Sequence, residues 1–464
     1  MRRRVREAAW AAAALLPAAA FLAVLAARRA DPLYDGRPAR AWIFLAVEGN
    51  AAERNRAATA LEKLDARAVP TLARLVRWRA GLLAALEERI WAGWFGNPLG
   101  PEPAAVRALA ARLLGRLGPA GAAGAPALVK ALADPDQEVL HAARLALKRI
   151  GPAALPALGR ALRSSCAPIA LNALELVGDM EAFGKEALRF EPEATALLNA
   201  PEAELRRQAA LTLGAWGRAT PKTVAALRKA LGDPQPAAAQ AAAAALGRLR
   251  PPPHEAVGDL TRLLCAEYPL LRVEACRGLW RIEDRAETVL PVLTAALEES
   301  AGHWEAALVL GEMGPAAAAA APALAAAAAR EQAHRPDRLP GAASIALSKL
   351  GPAAVPYLLA LLAHEDRGVR LSAANALEDF GPLAARALPA ALRMLSSPSR
   401  EERITGCRLI SAIGPAAVAA RPRLQQLVEE ETDYLRAAAW DALQSVCGAA
   451  AAEASETTVA VQNP

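Results

Sequence analysis

The side chains able to do chemistry are few and widely spread. Five histidines, His141, His254, His303, His334 and His364, include no pair four residues apart, the spacing that would put two imidazoles on one helix face for a metal. Five cysteines, Cys166, Cys265, Cys276, Cys407 and Cys447, lack the Cys-x-x-Cys spacing of zinc and redox sites. Cys166 and Cys407 fall on or beside apolar helical columns and read as buried thiols. Cys265 and Cys276 read the same way, or would bridge if their helices are neighbours and the compartment is oxidising. Gly-x-Ser-x-Gly, His-Glu-x-x-His and the phosphate loop ending in Gly-Lys-Ser/Thr are all missing from the sequence. Gly115, Gly118, Gly121 and Gly124 recur every third residue, but they follow a helix end and no lysine accompanies them. His364-Glu365-Asp366 is a polar cluster in a turn, read as solvated rather than as a cation site. Glu429, Glu430, Glu431 and Asp433 form an acidic turn, read as helix-start acids that complement the macrodipole, with attraction of a basic partner as the sharper alternative. These observations predict no catalytic residue, no metal and no cofactor.

What remains is recognition. There are 54 Lys and Arg against 48 Asp and Glu, a net charge of +6. Opposite charges are interleaved, as in Arg400-Glu-Glu-Arg403, which predicts a solvated face laced with ion pairs. A nucleic-acid binder would show a basic stripe with aromatics at one repeated position, and none is present. Candidate partner-binding residues are Arg206, Arg272, Arg370 and Arg436, each preceded by an apolar residue; a structural ladder, with Arg370 neutralising Asp366, is the competing role. Trp78, Trp91 and Trp94 are further candidates. With Leu82, Leu86 and Ile90, Trp78 and Trp94 make an apolar stripe at every fourth residue within the aromatic-rich segment 77–100. That stripe reads either as a helix packed over its neighbours or as a membrane-surface or partner-docking helix.

These residues hang on a repeat. An apolar column with spacing i, i+3, i+4, i+7, i+8, i+11 is one face of an α-helix. It reads Val139, Ala142, Ala143, Ala146, Leu147, Ile150 in one copy and Val369, Ser372, Ala373, Ala376, Leu377, Phe380 in another. A third copy is Leu435, Ala438, Ala439, Ala442, Leu443, Val446. The last residues of the columns are Leu64, Leu117, Ile150, Val177, Trp216, Leu249, Ile282, Met313, Leu350, Phe380, Ile413 and Val446. From Leu117 to Val446, 329 residues make ten intervals of about 33. Gly-Pro follows six of these anchors: glycine ends one helix and proline enters the next. A second proline lies six residues after the anchor (Pro70, Pro156, Pro356), in the first turn of a helix. Elsewhere it lies nine residues after (Pro126, Pro291, Pro322, Pro389, Pro422), where a kink is expected. Each unit is therefore helix A, a short turn often carrying Asp-Pro, and helix B with the column. The fold class predicted is all-α: a right-handed α-solenoid of about 10–12 stacked helix pairs over residues 50–448.

The stretch 350–362, Leu-Gly-Pro-Ala-Ala-Val-Pro-Tyr-Leu-Leu-Ala-Leu-Leu, followed by Asp366, Val369, Arg370 and Ala373, resembles a HEAT repeat. More narrowly it resembles the short bacterial type also found in phycobilin-lyase subunits. The resemblance implies a protein-interaction scaffold. It also opens the alternative of a lyase-type or other enzyme subunit using a cavity on a concave face, although no chromophore-handling residue carries over.

The N-terminal segment 1–7 is basic, and residues 8–27 carry no charge. Twenty helical residues span about 30 Å, enough for a bilayer core. Four arginines before the span and two after predict a cytoplasmic N-terminus and an extracytoplasmic solenoid. A cleaved signal peptide, giving a secreted or periplasmic chain, is the rival reading. Residues 28–49 are expected to link and cap the first repeat, with Tyr34, Trp42 and Phe44 as cap. The segment 34–43 is similar to the Tyr-x-Gly-Lys-Pro-x-x-x-Trp-Leu segment of membrane-anchored bacterial HEAT-repeat proteins, with Arg37 in place of the lysine. The tail 449–464 is small and polar, and disorder is expected there.

Overall fold

Helix B forms where the column lies. Gln137–Ile150 shows how one starts and stops: the Asp136 side chain accepts from the backbone N–H groups of Glu138 and Val139 at 3.0 and 3.1 Å, filling two of the unpaired first-turn donors. The helix ends at Gly151, whose φ of 68° and ψ of −143° lie in a region open essentially to glycine alone. All six column residues between these ends are buried. The same holds for the columns of Arg367–Glu378 and Asp433–Cys447, where Phe380 follows the end of the first. Every anchor is buried except Leu117, which is half-buried.

The computed structural model describes residues 31–78, 102–333 and 341–447. The basic segment 1–7, the apolar segment 8–27, Trp91 and Trp94 with most of the segment 77–100, and the tail 449–464 lie outside the described residues. The described chain is α-helical apart from one small hairpin, in which Leu33–Tyr34 pairs antiparallel with Arg37–Pro38 around Asp35 and Gly36. It falls into two compact units, divided between Ala230 and Leu231, and each is a stack of helix pairs.

Within each pair the A helix is short, as in Val69–Leu75, Ala125–Ala131, Leu155–Leu162 and Val355–Leu361. Of the five prolines expected to kink a helix, Pro291 lies inside one, Ala286–Ala296. Pro126, Pro389 and Pro422 sit instead in the first turn of their helices, and Pro322 is the second residue of Ala321–Ala333. The reason is the connector. A 3-10 segment of four residues (Gly151–Ala154) joins B to A when the proline comes at six, and one of seven (Gly118–Gly124, Gly381–Ala387, Gly414–Ala420) when it comes at nine. The longer interval between Val177 and Trp216 holds an extra helical turn, Met180–Phe183, ahead of its 3-10 segment.

The B helices approach closely because small residues face each other. A Cβ placed on Gly115 would lie 2.7 Å from Ala146 Cα, and one on Gly247 would lie 2.9 Å from Gly278 Cα. The periodic glycines are thus packing residues as well as turn residues, since Gly124 abuts the Leu114 side chain in the same way. One stretch, His303–Glu331, has an 18-residue window of mean hydropathy 1.4. Half of that window is buried, and Gly314 (φ 58°) interrupts it, so this stretch is a B helix and the following A helix of the stack.

The first repeat is bolted to the segment ahead of it by a buried carboxylate. Asp31 accepts from Arg40 Nε at 2.7 Å, from the Thr71 hydroxyl at 2.5 Å and from Arg74 at 2.6 Å. Trp42 is buried and donates from Nε1 to the Tyr34 carbonyl at 3.1 Å, with the Arg37 guanidinium 5.4 Å from its ring centre.

Candidate interaction surface

The residue after the first column position recurs as arginine, and in five repeats it makes the same clamp. Arg370 donates to the carbonyls of His364 and Glu365 at 3.0 and 2.7 Å, at the end of its own A helix, and to Glu402 of the next repeat at 2.6 Å. Arg272 donates to the carbonyls of Ala266 and Glu267 and to both oxygens of Glu299 at 2.5 and 2.6 Å. Arg403 reaches Ser397, Pro398 and Glu431. Arg206 reaches the carbonyls of Ala200 and Pro201 at 2.9 and 2.8 Å. Each guanidinium satisfies carbonyls left unpaired where helix A ends. Three of these four also hold an acid from the following repeat. The planar, five-donor group makes these bonds simultaneously.

The fifth member is the most buried. Arg107 donates from Nε and Nη2 to the two oxygens of Asp134 at 3.0 Å each, and from Nη1 to the Trp78 carbonyl at 3.2 Å. Side-chain exposures are 10% and 5%. The clamp thus joins Trp78, Arg107 and Asp134 across the sequence interval 79–101. Trp78 itself is half-buried, with its ring 5.8 Å from Phe44.

Of the arginines singled out by sequence, Arg206, Arg272 and Arg370 are clamps, while Arg436 is exposed on the last described helix. The guanidinium of Arg436 meets no carboxylate or carbonyl among the described residues. Arg370 does not neutralise Asp366. That carboxylate caps its own helix by accepting from Val369 N at 3.1 Å, and the partner of Arg370 comes from the next repeat. Sequence reasoning missed Arg107 and Arg403. The signal was there in Val106-Arg107, and a buried Glu402 in the first column position hid it in the other.

The turns use a second recurring device. Asp134, Ser164, Asp233, His364 and Ser397 each accept from the backbone N–H two residues on, at 2.9–3.1 Å. His364 and Asp366 are thereby committed to turn geometry, as the solvated-turn reading expected. The acidic turn fits its reading at Asp433, in the first turn of Asp433–Cys447, and departs from it elsewhere. Glu429 and Glu430 end the helix Arg421–Glu430 rather than starting one. Acids are unfavourable at that dipole end, and Arg403 to Glu431 at 3.1 Å and Arg423 to Glu430 at 3.7 Å offset them.

The outer face of the B layer carries the expected ion pairs between repeats. Arg112 pairs with Glu138, Arg144 with Glu175, Lys148 with Asp179 at 2.7 Å, Arg281 with Glu312 at 2.7 Å and Arg408 with Glu378 at 2.6 Å. The hydrogen bond from Lys148 is the main reason that Asp179 titrates below the ordinary carboxylate range. Glu274 and Glu378 go the other way, because burial raises them more than their arginine neighbours lower them. Burial also pushes Glu402 up, but hydrogen bonds from Ser397 and Arg370 and the charges of Arg370 and Arg367 outweigh it, leaving Glu402 lowered. Cys276 and Cys407 are buried thiols pushed up to about 12 by desolvation. Cys166 is half-buried, Cys265 is exposed, and Cys265 and Cys276 do not pair. No three His, Cys, Asp or Glu side chains converge as a metal site among the described residues.

The model of HEAT repeats matches residues 99–177 and 191–266 of this chain. No curated protein matches it. Importin beta is similar in structure at 14% identity and a TM-score of 0.52, over 91% of this chain and 63% of that one. Kap121p bound to Pho4p matches at 13% identity and a TM-score of 0.46, over 91% of this chain and 50% of that one. An engineered protein matches at 20% identity and a TM-score of 0.31, over 82% of this chain and 98% of that one. At 14% identity the likeness to importin beta is one of fold, and with the HEAT-repeat match it makes this chain an all-α HEAT-repeat solenoid; it spans under two thirds of the importin beta chain it resembles.

Proposed function

We propose that this chain is a non-catalytic protein–protein interaction scaffold, held at the membrane by residues 8–27 with its solenoid outside the cytoplasm. The observation that carries the scaffold reading is the clamp. Arg107, Arg272, Arg370 and Arg403 lock four repeats each to the next through carboxylates, so the B layer at those junctions is pre-organised before any partner arrives. A pre-ordered surface loses less conformational freedom on binding. Its exposed charges lie in pairs of both signs, which suits a protein surface of mixed charge better than a uniformly anionic polymer. The tether rests on the uncharged length of residues 8–27 and the arginines that flank it.

The test is affinity capture of the full-length chain from native membranes, with intact mass of the purified protein. A full-length mass with one stoichiometric protein partner is the expected result. A chain shortened by its first ~26 residues, the length of a signal peptide, recovered without a protein partner, overturns both parts of the proposal.

A further inference from the structure

The last three described B helices, Arg367–Glu378, Arg400–Ile413 and Asp433–Cys447, enclose a groove of about 390 Å³. That is within the range of small ligand sites, roughly 300–1,000 Å³. Its floor is low because Ala412 and Ala437 contribute only methyl groups. Glu378, Arg408, Tyr434 and Asp441 supply the chemistry. Tyr434 stands at the rim with 64% of its surface exposed.

The charges do not balance. Two carboxylates face one guanidinium, and that guanidinium is already bonded to Glu378 at 2.6 Å. The other oxygen of Glu378 is buried with no protein donor. The carboxylate of Asp441 is exposed and meets no protein cation among the described residues. Asp433, next to Tyr434 in the chain, adds an 80% exposed carboxylate that Arg400 meets at 3.9 Å. The groove thus has surplus negative charge, an aromatic face and a shallow apolar floor.

We propose that this groove binds an arginine side chain presented by a protein partner, which deepens and rests on the scaffold reading above. The guanidinium stacks on the Tyr434 ring and pairs with Asp441, while its methylene stem lies over Ala412 and Ala437. Tyr434 and Asp441 lie two turns apart on one helix, and a long side chain ending in a planar, weakly hydrated cation suits a groove lined by a ring and a carboxylate better than an ammonium does. The incoming charge also offsets the desolvation of Glu378 through space, without touching it. Burial holds that carboxyl above its ordinary range despite Arg408 beside it, so it gains from any added positive charge.

The chain has four tyrosines, so full-length protein labelled with 3-fluorotyrosine gives a resolvable fluorine spectrum, with Tyr434→Phe identifying one signal. The probe is a blocked Gly-Gly-Arg-Gly-Gly peptide, compared with the same peptide carrying neutral citrulline. The Tyr434 signal is expected to shift saturably with the arginine peptide, and about tenfold more weakly with citrulline. Asp441→Asn, an exposed change that leaves the fold intact, is expected to weaken binding about threefold to fivefold. Equal response to both peptides, no effect of Asp441→Asn, or a shift confined to the other tyrosines overturns the proposal. This titration needs no native partner. If it fails while capture succeeds, the partner docks elsewhere and the scaffold reading stands; if it succeeds while capture fails, the groove binds arginine, but the scaffold reading falls and with it presentation by a protein partner.

Discussion

Replacing Arg107 with alanine tests whether the clamps hold the stack together. Arg107 gives up two bonds of 3.0 Å to Asp134 and one of 3.2 Å to the Trp78 carbonyl. Both partners of the ion pair are at least 90% buried, so solvent screens it little. Among the described residues, Asp134 then keeps the N–H of Asp136 at 3.1 Å. Removing one partner of a buried pair costs about 3–5 kcal/mol, because the other charge stays buried without its counterion. Arg112→Ala is the control. It removes a pair whose side chains are 55% and 62% exposed, expected to contribute below about 1 kcal/mol. Repeat arrays need not unfold in one step, so the assay is native-state hydrogen exchange alongside urea melting. In Arg107→Ala, amides of Pro103–Arg116 and Gln137–Ile150 should lose protection by the full amount, and those beyond Leu231 should not. Asp134→Asn added to Arg107→Ala should recover part of the loss, since it removes the stranded charge. A loss below about 1 kcal/mol, equal to that of Arg112→Ala, would refute the reasoning.

Three further outcomes follow from the same geometry. Gly115→Ala should destabilise by about 1–3 kcal/mol in thermal melting, because its Cβ would sit 2.7 Å from backbone of Ala146, although helix propensity alone favours alanine by about 1 kcal/mol. Glu402→Gln should lower stability at neutral pH. The stabilisation from the lowered folded-state pKa is fully present above the ordinary value of 4.5 and is lost as pH falls below it and through the folded-state pKa, so the gap to wild type should close in acid titration monitored by circular dichroism. Under native conditions at pH 8, iodoacetamide should modify exposed Cys265 and leave Cys276 and Cys407, pushed up to about 12, unmodified until denaturant is added; peptide mass mapping reads this directly.

The sequence by itself determined the repeat, because periodicity is a local property. Column residues such as Val139, Ala142 and Ile150 are buried for the same reason that they recur: each helix has one face against its neighbours. Gly151 and Asp136 likewise mark helix ends through their own backbone and side-chain chemistry. Tertiary structure alone decided the partners. Arg370 has Asp366 four residues away and bonds instead to Glu402, 32 residues on, because stacking brings the next repeat to its guanidinium while Asp366 is occupied by its helix cap. Whether a proline nine residues after an anchor kinks a helix depended on a seven-residue 3-10 connector that no local pattern announced. The groove beneath Tyr434 joins residues 378, 408, 434 and 441. Each looks like an ordinary solvated side chain in the sequence, and only the superposition of three repeats sets Tyr434 and Asp441 beside the Glu378–Arg408 pair, with one carboxylate in excess.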